Sequence, residues 1–199
     1  MSYVKLPKTK RGEKTLAKIC EAAEYLFAQN GFYSTEINDI TKRAGVAAGT
    51  FYVYFPNKIS VFLHLMDDLG RKLRGSIRTA KQNASSASFI ELERVTFRAW
   101  FAFVKEHYGL FRIVWQSQFV DAEMFKRYYE RFSSGYIDEL SKSRQKGETR
   151  DLDPVLISYA LMGIYSFVAL KCLVFDESEP DEEAIDQMVE FISRGLSAQ

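Results

Sequence analysis

An all-α fold of about nine helices is what this sequence predicts, divided between a small three-helix head and a larger antiparallel helical body. Three observations carry that prediction. Apolar residues recur at helical spacing along most of the 199 residues, and alternating β-branched runs are few. The only prolines, Pro7, Pro56, Pro154 and Pro180, fall between the periodic segments. A composition that is 47% hydrophobic and 15% aromatic fits a core-rich protein rather than a disordered one.

Taken in order, the first helix spans about 13–30, with Leu16, Ile19, Ala23, Leu26 and Phe27 as its core stripe, and Gly31 ends it. Thr35 reads as the N-cap of a second helix, with Asn38 a weak stand-in for the usual capping-box partner. Ile37, Ile40 and Ala44 share one face, and Gly45 supplies a left-handed C-cap. Val46 tucks between this helix and a third, over 47–55, which stops before Pro56. Asn57 caps and Lys58 opens a long fourth helix carrying Val61, Phe62, Leu65, Met66, Leu69 and Leu73. It fades over 80–88, where Asn83, Ser85, Ser86 and Ser88 break the pattern.

The fifth helix, 89–107, is apolar almost all round beyond Val95, which places it inside a bundle. Gly109 is expected to break it, and a shorter sixth helix follows with Phe111, Ile113, Val114 and Trp115. The seventh, 122–146, contributes Phe125, Tyr128, Tyr129, Phe132, Tyr136 and Leu140. Asp153 before Pro154 is an N-cap followed by proline in the first turn, opening an apolar eighth helix. An acidic loop, 176–180, leads to a ninth over 181–196.

Residues 35–58 thus read as two short helices joined by a tight turn, the layout of a helix-turn-helix whose second helix enters the DNA major groove. The run Gly45-Val46-x-x-Gly49-Thr50-Phe51-Tyr52-x-Tyr54-Phe55-x-x-Lys58 resembles the signature of the TetR family of one-component transcriptional regulators. Gly31 to Thr35 and Ile40 to Ala44 match the same pattern, and the likeness covers roughly 12–65. It implies a DNA-binding domain over 1–57 and a ligand-binding and dimerisation domain over 58–199, joined through the fourth helix. By this resemblance Thr35 and Lys58 bind phosphates, Tyr54 adds a phenolic donor, and Ala47, Ala48, Gly49, Thr50 and Tyr52 face the bases. Phe51 and Phe55 are core. The chain departs from the family pattern at Ala47, where a hydroxyl cap is common, at Ala48, where lysine is common, and at Val53, where a polar residue is common. Readout therefore leans on apolar contacts with thymine methyls.

Charge follows the same division. Residues 1–58 hold nine basic and five acidic side chains, a net of +4, so the rest carries −3 of the chain's +1. A basic head on an acidic body suits a DNA-binding protein. The arm at 1–11, with Lys5, Lys8, Lys10 and Arg11, reads either as a solvated tail or as a contact for phosphates or the minor groove.

In the body, aromatics at helical spacing are mostly core, but a family member is expected to hold an apolar effector cavity. Phe62, Met66, Trp100, Phe101, Phe111, Arg112, Trp115, Phe119, Phe125, Tyr128 and Tyr129 are its candidate lining, with His107, Gln116 and Gln118 as further polar fixtures. A hydrophobic ligand, neutral or with an anionic end for Arg112, is expected. The last two helices offer the homodimer surface, through Leu161, Ile164, Phe167, Val168, Met188, Val189 and Ile192. A two-fold dimer implies a palindromic double-stranded operator. Repression comes from the resemblance, and the alternative is a constitutive DNA-binding protein without an effector cavity.

Other classes find little support. His64 and His107 lie in separate helices, and no nucleophile elbow, metalloprotease motif or phosphate-cradling loop is present, so no enzyme activity, cofactor or metal is expected. Cys20 and Cys172 sit in apolar helical patterns and read as buried thiols. The apolar run 155–175 is interrupted by Ser158, Tyr159, Ser166 and Lys171 and lacks basic flanks. An interface helix in a cytoplasmic protein is the expected reading.

Overall fold

The computed structural model describes residues 3–84 and 88–197, the side chain of Leu110 excepted. The described residues form nine α-helices: α1 Lys10–Asn30, α2 Ile37–Ala44, α3 Ala48–Tyr54, α4 Lys58–Asn83, α5 Phe89–Glu106, α6 Tyr108–Val120, α7 Ala122–Gln145, α8 Pro154–Ala169 and α9 Glu182–Leu196. A π-helical turn, Leu170–Phe175, continues α8. One isolated bridge pairs Thr149 with Ser197, and no strand occurs among the described residues. The all-α expectation holds; the breaks expected at Ser85 and Ser86 lie outside the described residues.

Two compact units are present. The first takes the chain through Arg71 together with His107–Tyr128; the second takes Lys72–Glu106 and Tyr129 onward. The first unit is therefore larger than a three-helix head, because it also holds α6 and the first turns of α7. Gly109 shows why. It does not break a helix but sits in the first turn of α6, the interruption falling at His107 instead. A Cβ on Gly109 would stand 3.2 Å from the Ala28 Cβ and 3.4 Å from Glu24. The missing side chain lets α6 approach α1 closely, which is the other common use of glycine.

Helix ends follow local chemistry. Thr9 caps α1, accepting from the Gly12 N–H at 3.2 Å, so the helix starts three residues before the expected point. Asn57 Oδ1 accepts from the Ser60 N–H at 2.9 Å at the head of α4. Asp153 accepts from the Val155 N–H at 2.9 Å beside Pro154, and Asp181 caps α9 through the Ala184 N–H at 2.8 Å.

The first unit is cored by Phe27, Phe32 and Phe62, whose ring centroids lie 5.0–5.6 Å apart. In the second, Phe97, Trp100, Phe101 and Tyr165 form the corresponding cluster, and ion pairs Arg94–Asp186 and Arg98–Glu182 join α5 to α9. Pro154–Phe175 is long and apolar enough to cross a membrane by length and composition, yet only a third of it is buried within the chain. Its buried side places Tyr165 against Glu93, while Leu156, Tyr159, Phe167 and Phe175 stay exposed.

Candidate nucleic-acid interface

The α2–α3 turn is built on Gly45, whose φ of 66° and ψ of 38° are left-handed. The Gly45 N–H donates to Lys42 O at 3.2 Å and the Val46 N–H to Thr41 O at 3.0 Å, the two bonds of a Schellman motif. A side chain at this φ would be strained, so the turn angle is written into the glycine. Helix α3 then starts at Ala48 with Ala47 at its N-cap and no side-chain cap, as the missing hydroxyl predicts.

Phe51 and Phe55 are fully buried, with ring centroids 5.6 Å apart, and fix α3 by its inner face. The outer face presents Ala48, Gly49, Tyr52 and Val53, the last two 57% and 54% exposed, with Thr50 half-buried beside them. A Cβ on Gly49 would meet nothing within 4 Å, so the surface is open. The residues expected from the sequence to face the bases are thus exposed, Thr50 in part.

The three anchors behave differently from expectation. Thr35 is fully buried and does not cap α2; its hydroxyl donates to Gly31 O at 2.8 Å and Leu26 O at 3.3 Å. The Gly31 carbonyl lies just past the end of α1, so the hydroxyl is drawn inward to satisfy it. Glu36 takes the cap position instead, and Asp39, rather than Asn38, accepts from its N–H at 3.0 Å. Tyr54 is 8% exposed and its hydroxyl donates to Gly12 O at 3.3 Å, not outward. Lys58 Nζ donates to Thr35 O at 2.7 Å and lies 4.7 Å from the Phe32 ring centroid. All three hold the turn in place.

Exposed cations lie on the same unit. Lys42 and Arg43 end α2, where positive charge complements the helix dipole, and the Arg43 guanidinium stacks 3.3 Å from the Tyr25 ring centroid. Lys10, Lys14 and Lys18 share one exposed side of α1.

The candidate effector residues are not gathered in one unit. Phe62, Met66, Phe111, Arg112, Trp115, Phe119, Phe125 and Tyr128 belong to the first, and Trp100, Phe101 and Tyr129 to the second. Phe62 and Met66 are fully buried core, whereas Arg112 and Phe119 face outward. Gln116 is committed to the fold: its Nε2 donates to Phe27 O at 2.9 Å and its Oε1 accepts from the Phe32 N–H at 2.8 Å.

Sequence reasoning missed a cavity of about 580 Å³ within the second unit, lined by Arg74, Ile77, Arg78, Lys81, Leu92 and Tyr136 among others. Its signal was the i, i+4, i+7 spacing of the three cations on α4. Next in sequence to the lining residue Leu92 is Glu93, 1% exposed, whose Oε2 accepts from the Tyr165 hydroxyl at 2.9 Å while Oε1 has no partner. Burial pushes its carboxyl up to about 7, against the opposing pull of Lys81. Burial likewise raises the Tyr136 and Tyr165 hydroxyls well above the ordinary range.

Of the candidate dimer residues, Leu161, Val189 and Ile192 are buried inside the second unit, Ile164, Val168 and Met188 half-buried, and Phe167 62% exposed. The large apolar side chains exposed on α8 and α9 include Leu156, Tyr159, Phe167 and Phe191. A helical period fixes which residues share a face, but the partner helices decide which face is inside.

Residues 19–65 match the family described as bacterial regulatory proteins, tetR family. A fatty acid metabolism regulator protein of Bacillus subtilis is 32% identical over 76 residues, which is 38% of this chain and only 39% of that relative's length. The uncharacterised HTH-type transcriptional regulator YhgD of Bacillus subtilis is 26% identical over 190 residues, 90% of this chain and 95% of that one. Among solved structures, the transcriptional regulator FadR of Bacillus subtilis, in complex with stearoyl-CoA, superposes with a TM-score of 0.77 at 21% identity, covering 90% of this chain and 98% of that chain. The family match spans the residues that build α2, the turn and α3.

Proposed function

We propose that this chain, which belongs to the TetR family of bacterial regulatory proteins, is a cytoplasmic repressor that binds a palindromic operator as a homodimer and is released by a hydrophobic effector. Transcriptional regulation is the family's activity; the operator, the dimer and the effector are the finer reading. The observation that carries it is the exposed Tyr52–Val53 face of α3, held rigid by buried Phe51 and Phe55. A short helix offered to solvent on a fixed base suits the major groove, and its apolar side chains suit thymine methyls. Thr50 and Tyr52 supply the polar contacts, with Ala47, Ala48 and Gly49 allowing close approach and Lys58 adding charge at the edge.

The effector class is drawn from the relatives: one is a fatty acid metabolism regulator, and another was solved with stearoyl-CoA. The cavity's apolar Ile77, Leu92 and Phe132 beside cationic Arg74, Arg78 and Lys81 suit an acyl chain with an anionic head. Release then follows from tighter effector binding to a dimer state of low operator affinity.

Selection of genomic DNA fragments on the protein, followed by sequencing, tests the reading. An inverted repeat with half-sites about one helical turn apart, or a multiple, is expected. Tyr52→Ala and Thr50→Ala should blur the recovered sequence, and long-chain acyl-CoA should elute the bound fragments. Recovery of random fragments alone, or an unchanged repeat with both variants, would sink the proposal.

A further inference from the structure

The arm before α1 is not a loose tail. The Lys5 N–H donates to Tyr54 O at 2.9 Å, satisfying a carbonyl that the last turn of α3 leaves open. The Tyr54 hydroxyl reaches back to Gly12 O at 3.3 Å, so one tyrosine ties both ends of the arm to the reading helix. Gly12 is what permits this path: a Cβ there would come 2.7 Å from the Pro7 Cβ. Tyr3, Val4 and Pro7 are half-buried, whereas the Lys5, Leu6 and Lys8 side chains are exposed. The arm is thus a strap across the C-terminal end of α3, with Tyr3, Val4 and Pro7 partly covered and its lysines outward.

Charge makes the outward side informative. Residues 3–18 carry Lys5, Lys8, Lys10, Arg11, Lys14 and Lys18 against the single acid Glu13. A structural strap needs its backbone and its inward side chains, not two solvated ammonium groups beside a DNA-reading helix. Resting on the DNA-binding reading above, we propose that Lys5 and Lys8 of this strap contact phosphates flanking the groove that α3 enters, making the strap a second DNA-contact element positioned by α3 itself. Because Lys5 is held through its backbone N–H, its side chain is left to reach a phosphate.

Phosphate contacts are independent of sequence, so the test requires no known operator. Fluorescence anisotropy with a labelled 30-base-pair duplex of mixed sequence, across a potassium chloride series, compares the full chain with Lys5→Gln/Lys8→Gln. That variant keeps the strap's backbone bond to α3. It is expected to bind several-fold more weakly at low salt, with a slope of log K against log [salt] shallower by about 1.8, the share of two phosphates. Gly12→Ala, which retains both lysines but displaces Pro7, should lose part of the same slope while far-ultraviolet circular dichroism stays unchanged. Wild-type affinity and slope in both variants would overturn the strap contact. Failure of the wild-type chain to bind any duplex would instead overturn the DNA-binding reading on which it rests.

Discussion

Glu93 shows how much a single residue can carry. It is a buried carboxyl with one oxygen on Tyr165 and the other without a partner. Unfolded, it ionises near 4.5; folded, it holds its proton to about 7, chiefly because burial disfavours the charge. Between those values the folded state binds a proton that the unfolded state has lost, so stability falls as pH rises through this window and levels off above it. Glu93→Gln keeps the volume and the Tyr165 acceptor while removing the ionisation. The variant should match wild type near pH 4.5 and exceed it at pH 8 by up to about 3 kcal/mol in urea unfolding. A difference that does not change with pH would refute this account. The sequence did not signal Glu93, because one acid beside an apolar helical run looks the same whether it faces water or the core. Thr35 was legible as a residue but not as a direction: its hydroxyl answers a carbonyl nine residues earlier, at the end of another helix.

Among the elements, α6 is the one whose role changes most. Both polar ends of Gln116 are spent on the end of α1 and the residue after the turn, and the Tyr33 hydroxyl donates to Phe119 O at 2.7 Å. Gln116→Leu strands the Phe32 N–H in a partly buried site and leaves Phe27 O with its bond from the Gly31 N–H alone, which costs about 1–3 kcal/mol. Thermal unfolding should show that loss, and hydrogen exchange should place it at residues 27–35. An unchanged melt would mean that water replaces both bonds. The α2–turn–α3 segment was legible because its information is local: a glycine angle, a proline stop and a short period. The docking of α6 on α1 was not, since its contacts join residues more than 80 positions apart. The π-helical turn after Ala169 escaped for a related reason, as the apolar run around it reads as one continuous helix.

At the scale of the whole molecule, the homodimer proposed above would draw on the exposed apolar side chains of α8 and α9. Two copies of a reading head need a common axis, and Leu156, Tyr159, Phe167 and Phe191 offer apolar surface to bury between them. Phe167→Glu should shift the protein to monomer in sedimentation velocity and weaken operator binding at least tenfold, while leaving affinity for short non-specific duplexes nearly intact. A dimer that persists in this variant would move the interface elsewhere. The division into units has a consequence for how such a protein can be recombined. The chain passes from one unit to the other inside α4, at the α5–α6 junction and again inside α7. A graft cut after Arg71 would carry the reading helix but leave behind Gln116, Gly109 and the carbonyl that receives Tyr33. The recognition end is therefore not a portable cassette. An exchange of specificity between relatives must trade α3 alone, or trade α6 together with α1.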